Sequence, residues 1–266
     1  MHRPILHSGE RLHGERLGHI YTPEVLIFPS PEGVDSKAAE VVIDQVNSKP
    51  NSVITLPTGS TPVGMYRLLS EAFRKGEVDF SGVKIFNLDA YWPISHVNPA
   101  SYVSFMREIF FNHVNIPPEQ RFIPNGMCAD PDEEAERYEA LLKQYGPPDL
   151  AVLGIGPGKT CHIGFNERGS MPDSRVRRVD LDEETRKVNA AFFQEGEPVP
   201  TSALTQGIAD ILDAQRILLL AKGKGKAWGV QRTLEGEIGP DAPASYLRYH
   251  PQTTFILDQD AASLLS

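Results

Sequence analysis

The chain has 266 residues, 40% of them hydrophobic and 23% charged, enough for one large α/β domain or two small ones, with a substantial core. Lys and Arg total 26 against 35 Asp and Glu, so the formal net charge is -9, which argues against general binding to nucleic acid or to an anionic membrane. Two cysteines, Cys128 and Cys161, form no disulfide framework, and no apolar run reaches the roughly 18 residues of a membrane span. With no signal-peptide core in Met1–Leu6, the expectation is a cytoplasmic protein.

Residues 1–22 read as a polar arm, with His2, His7, His13 and His19 too widely spaced for a metal site. Residues 23–266 read as one domain. Val25–Phe28 is a predicted strand, and Ser36–Val46 an amphipathic helix capped by Ser36. Val53–Leu56 is a strand, and a helix starts at Pro62, because proline suits a first helical turn. Val83–Leu88 is a strand; Tyr102–Phe111 and Asp132–Tyr145 are helical; Leu150–Gly154 is a strand. Arg177–Leu181 is a short strand in an excursion, and Thr201–Leu212 a helix. Ile217–Ala221, a helix over Lys226–Leu234 and a strand at Thr254–Leu257 complete the chain. This alternation predicts an α/β fold: a doubly wound, mostly parallel sheet with helices on both faces, modified Rossmann-like, in a single domain.

In such a sheet, ligands bind in the crevice at the carboxyl ends of the strands. Thr58-Gly59-Ser60-Thr61 follows a strand and precedes a helix, so its backbone N–H groups and hydroxyls suit an oxyanion; alone it serves equally as a capped turn. Asp89 ends an apolar strand, either as a turn brace or as a general base tuned by partial burial. His162 and Glu167 occupy a glycine-flanked loop after another strand, and histidine exchanges protons near neutral pH. Lys222, Lys224 and Lys226 follow Ile217–Ala221; one suits a phosphate and two read as solvated. The Gly-Lys-Ser/Thr nucleotide loop, the dinucleotide fingerprint and zinc-like Cys/His spacing are all absent. The combination suits proton transfer on a phosphorylated small molecule.

Six stretches in order resemble the glucosamine-6-phosphate deaminase (isomerase) family from about Val25 onward: Leu56–Pro62, Asn87–Tyr91, Ser101–Met106, His162–Glu167, Thr185-Arg186 and Ala203–Thr205. The resemblance implies an aldose–ketose isomerisation with loss of ammonia, taking glucosamine 6-phosphate, or an epimer such as galactosamine 6-phosphate, through an enediol-type intermediate. It implies Asp89 as the base between C2 and C1, His162 as the ring-opening imidazole and Glu167 as its acidic partner. Thr58, Gly59, Ser60, Thr61 and Lys226 match the phosphate site. No metal and no organic cofactor are implied, and the family tendency is a homo-oligomer. The chain departs from the pattern at Thr160, where an aspartate orients the histidine, in a loop two residues longer. It departs again at Ala191, where an arginine clamps phosphate; Arg168, Lys159 and Lys224 are the expected substitutes. Ala90 and Val179 replace an acidic and a basic residue, although Arg177 remains. The competing readings are a 6-phosphogluconolactonase-like hydrolase, against which Phe165-Asn166-Glu167 speaks, and a non-catalytic sugar-phosphate sensor.

Overall fold

The computed structural model describes residues 19–156 and 158–266. The arm expected at 1–22 lies outside the described residues as far as residue 18, and His2, His7 and His13 with it.

The strands are β1 (Glu24–Phe28), β2 (Val53–Leu56), β3 (Lys84–Asn87), β4 (Asp89–Trp92), β5 (Arg121–Phe122), β6 (Leu150–Gly154), β7 (Arg177–Asp180), β8 (Ser202–Thr205), β9 (Ile217–Ala221) and β10 (Thr253–Asp258). The helices are α1 (Pro31–Ser48), α2 (Val63–Arg74), α3 (Tyr102–Ile109), α4 (Pro131–Tyr145), α5 (Glu183–Asn189), α6 (Ile208–Leu212) and α7 (Ala227–Glu235). Seven strands form one sheet in the order β1-β10-β9-β6-β2-β3-β5. Every pairing in it is parallel.

The inner strands are buried almost throughout, as a sheet covered on both faces requires, and successive residues face opposite cores. Val152, Leu218, Leu220 and Ile256 pack with Val34, Val42, Met65 and Leu69 of α1 and α2. Leu153, Leu219 and Phe255 pack on the opposite face with Ile208 and Ile211 of α6 and Val230 of α7. The doubly wound expectation holds.

A second sheet, in the order β4-β8-β7, is antiparallel and was missed in the sequence. It corrects two expectations. Asp89 does not end β3; it opens β4, one residue beyond β3 and Leu88, opposite Thr205. Thr201–Leu212 is not one helix but β8 followed by the short α6. All four residues of β8 are buried between β4 and β7, and that pairing overrides the helix propensity of Ala203-Leu204. At the first helix, Ser36 is not the cap: α1 begins at Pro31 after Ser30, with proline in the first turn and Glu32 beside it.

Candidate active site

A cleft of about 240 Å³ opens where the ends of β2, β6 and β9 meet the start of β4, lined by Thr58–Thr61, Asp89, His162, Gly164 and Lys226 among others. Its floor is the turn between β2 and α2. Gly59 has φ +89, a left-handed conformation that favours glycine. The N–H groups of Gly59, Ser60 and Thr61 donate to no protein acceptor among the described residues. The buried Tyr66 anchors this turn by donating its hydroxyl to Pro57 O at 2.5 Å. Free N–H groups ahead of a helix N-terminus form a cradle for an anion.

Lys226 enters from the turn after β9. Its Nζ donates to Ile155 O at 2.7 Å, and burial pulls its pKa down to about 8. Among the described residues, Lys226 is the only lysine or arginine that lines the cleft. The expected substitutes for an arginine at position 191 go elsewhere. Arg168 donates to Lys159 O, and Lys159 and Lys224 are not among the cleft residues. Ala191 is exposed, while its neighbour Phe192 lines the cleft.

Asp89 is 6% exposed, and its carboxyl oxygens make no hydrogen bond among the described residues. Burial without a countercharge pushes its pKa up to about 8. Gly164, at φ +56, keeps the space beside it open: a Cβ there would lie 3.5 Å from Asp89 Oδ2 and 2.9 Å from Thr205 Oγ1.

His162 lies on the cleft, and its Nδ1 meets Glu167 Oε2 at 3.1 Å and Thr185 Oγ1 at 3.4 Å. A carboxylate on Nδ1 favours the proton there and leaves Nε2 as the nitrogen that serves the cleft. Glu167 is buried and does not line the cleft. Its other oxygen accepts from Asp182 N at 3.4 Å, so it acts behind the ring. The hydroxyl on Nδ1 is that of Thr185 on α5. Asn166, between Phe165 and Glu167, is scaffolding: its amide donates to Ile163 O and Gln206 O, both at 2.8 Å. Its oxygen accepts from Arg177 Nη1 at 2.9 Å, while Arg177 Nη2 donates to Ser170 Oγ at 2.9 Å.

The cleft thus brings together Thr58, Gly59, Ser60, Thr61, Asp89, His162 and Lys226, with Glu167 one shell behind. Sequence reasoning missed the opposite wall. Tyr91, Tyr102 and Asn189 line it, with Tyr91 and Tyr102 ring centroids 4.9 Å apart. The Tyr102 hydroxyl hydrogen-bonds with Tyr91 and Thr58, and Asn189 with Tyr91, linking α5 to the anion turn. No Tyr or Asn motif announced them, but Tyr91 and Tyr102 stood inside stretches singled out by resemblance.

The sequence model of the family described as glucosamine-6-phosphate isomerases/6-phosphogluconolactonase matches residues 31–256. A glucosamine-6-phosphate deaminase of Halothermothrix orenii is 46% identical over 241 residues, covering 91% of this chain and 99% of the relative. One from Clostridioides difficile is also 46% identical, covering 91% and 96%. A solved structure described as a monomeric glucosamine-6-phosphate deaminase superposes with a TM-score of 0.87 at 41% identity, covering 91% of this chain and 99% of that one. A 6-phosphogluconolactonase from Trypanosoma brucei shares the fold, with a TM-score of 0.76 at 19% identity over 92% of this chain and all of its own. The chain therefore belongs to the family of glucosamine-6-phosphate isomerases and 6-phosphogluconolactonases.

Proposed function

We propose that the chain is a glucosamine-6-phosphate deaminase: it converts the amino-sugar phosphate and water to the ketose 6-phosphate and ammonia. The reading rests on one observation above all. A buried, unpaired carboxylate shares a cleft with a histidine and with an anion cradle flanked by a single lysine. The phosphate sits on the N–H groups of Gly59, Ser60 and Thr61, against Lys226. His162 Nε2, oriented by Glu167, moves the proton that opens the pyranose ring. Asp89 then takes the C2 proton and returns it to C1. The imine left at C2 adds water and releases ammonia. One base between adjacent carbons suffices for the proton shift, and the balance of the reaction calls for no oxidant or reductant.

The motif Phe165-Asn166-Glu167 favours deamination over lactone hydrolysis, because Glu167 holds the histidine from behind. We place the reaction in the cytoplasm, which suits a phosphorylated sugar and a chain with two free cysteines. A homo-oligomer belongs to the same reading by family tendency; the solved relative at 41% identity is described as monomeric, and light scattering on the pure chain decides between them. The function is tested by incubating the protein with glucosamine 6-phosphate, galactosamine 6-phosphate and 6-phosphogluconolactone in parallel. Ammonia and ketose phosphate in equal amounts from an amino sugar support the proposal. Lactone hydrolysis without ammonia release overturns it.

A further inference from the structure

Lys222 and Lys224 read from the sequence as a solvated pair, but Lys222 is not solvated. Its Nζ lies 2.8 Å from Asp35 Oδ1, and the two side chains are only 16% and 12% exposed. Asp35 belongs to α1, and its other oxygen presses on the first turn of α2: a Cβ on Gly64 would sit 2.0 Å from Oδ2. Gly64 is three residues beyond Thr61, at most about 10 Å along the chain. Lys222 directly precedes the turn that delivers Lys226, in which Gly223 N donates to both carboxylate oxygens of Asp258. The ion pair therefore abuts both halves of the anion site, the helix behind the cradle and the turn carrying its lysine. Neither member lines the cleft. Other charges in this neighbourhood are Glu32, which is exposed, and Arg67, of opposite sign, together with the buried Asp258 carboxylate, which accepts from Gly223 N.

A carboxylate against the first turn of a helix takes up the positive potential that would otherwise serve an anion bound there. We propose that Lys222 and Asp35 are positioning residues that set the charge at the cradle, Lys222 cancelling a carboxylate that would repel the substrate phosphate. The inference rests on the reading that phosphate occupies the Gly59–Thr61 turn. It gives the two residues opposite signs, which a purely structural tie between α1 and the β9 turn does not. Removing the ammonium exposes the carboxylate and weakens anion binding. Removing the carboxylate frees the ammonium and tightens it. A unit charge near the site, across partly desolvated protein, alters anion binding by roughly three- to tenfold.

The test is calorimetric titration of inorganic phosphate into the intact chain, into Asp35→Asn, Lys222→Met and the double variant, and into Lys226→Ala as a control. KM and kcat for glucosamine 6-phosphate are measured alongside. The expected Kd rises about three- to tenfold in Lys222→Met, falls by a similar factor in Asp35→Asn and returns near the parent value in the double variant. KM follows, and kcat stays within about twofold. If both single variants bind phosphate more weakly, or neither shifts it, while Lys226→Ala weakens binding, the pair is only structural and the inference is overturned. If Lys226→Ala leaves phosphate binding unchanged, the cradle reading itself fails and takes the inference with it. Should Lys222→Met not fold, Asp35→Asn decides alone by the sign of its effect.

Discussion

Asp89→Asn should stabilise the fold while abolishing turnover. Burial raises the carboxyl from 3.8 to about 8. Between those values the folded chain binds a proton that the unfolded chain has released, so stability falls as pH rises from about 4 to about 8. At pH 7 the penalty is about 4 kcal/mol at 1.36 kcal/mol per unit. An asparagine of nearly the same shape does not titrate, but its amide enters a site without hydrogen-bond partners among the described residues, which returns about 1–3 kcal/mol. The net gain is about 1–3 kcal/mol at pH 7–8, or roughly 3–10 °C in midpoint for a chain of this size. At pH 4–5 the gain vanishes or reverses. Ammonia release should fall by about 10²–10⁴ or more, the usual loss on removing a general base. Thermal unfolding of both proteins at pH 5 and pH 8, with turnover measured at pH 8, is the assay. A pH-independent difference in midpoint, or activity above about a tenth of the parent, would refute the reasoning.

Four further outcomes follow from the same geometry. The profile of kcat/KM should be bell-shaped with its maximum near pH 8, because Asp89 must be ionised and Lys226 protonated and burial brings both to about 8; initial rates from pH 6 to 10 check this, and a flat profile contradicts it. Glu167→Gln should slow the cyclic substrate about ten- to a hundredfold and an open-chain analogue far less, since Thr185 still holds Nδ1 at 3.4 Å; equal losses on the two would remove His162 from ring opening. Gly164→Ala should lower stability by about 1–2 kcal/mol, from a left-handed Cβ crowding Thr205, and reduce kcat by shifting Asp89; chemical denaturation that leaves the midpoint unchanged would contradict the packing. Lys226→Ala should weaken phosphate binding about ten- to a hundredfold while Arg168→Ala leaves it unchanged; the reverse result in the same titration would move the phosphate out of the cleft.

The main sheet was legible because each inner strand is a short, continuous apolar run closed by a turn, as in Val53–Leu56, Leu150–Gly154 and Ile217–Ala221. The smaller sheet was not. Asp89–Trp92 carries no period-two pattern, and Ser202–Thr205 becomes a strand only through neighbours more than a hundred residues away on one side and about 25 on the other. That information is not local. The acid, the histidine and the anion turn were legible because each follows a strand of the main sheet, Thr58–Thr61 after β2, Asp89 after β3 and Leu88, and His162 in the loop after β6. Thr185 was flagged only as part of a motif, and its bond to His162 depends on how α5 lies across the cleft. The substitutes proposed for Ala191 failed for a related reason: charge and proximity in sequence do not say where a side chain turns, and Arg168 turned to a backbone carbonyl.

The electrostatics of the cleft bear on which sugar it accepts. Near neutral pH, Asp89 with its pKa near 8 is mostly protonated and Lys226 is mostly charged, so the site offers an anion a net positive pocket. A phosphate on the cradle raises the pKa of Lys226 and fixes its charge. The same phosphate does nothing to make Asp89 a base. An ammonium at C2 does: placed within about 4–6 Å of the buried carboxyl, it favours the ionised form and lowers the pKa. In the proposed reaction the amino sugar thus supplies the countercharge that the protein withholds from Asp89. A hexose 6-phosphate without the amine would occupy the cradle and leave the base protonated. On this proposal, discrimination for an amino sugar needs no dedicated acidic pocket for the amine, which accords with Ala90 where the family often places an acid, since the proposed base, Asp89, would also be the recognition group.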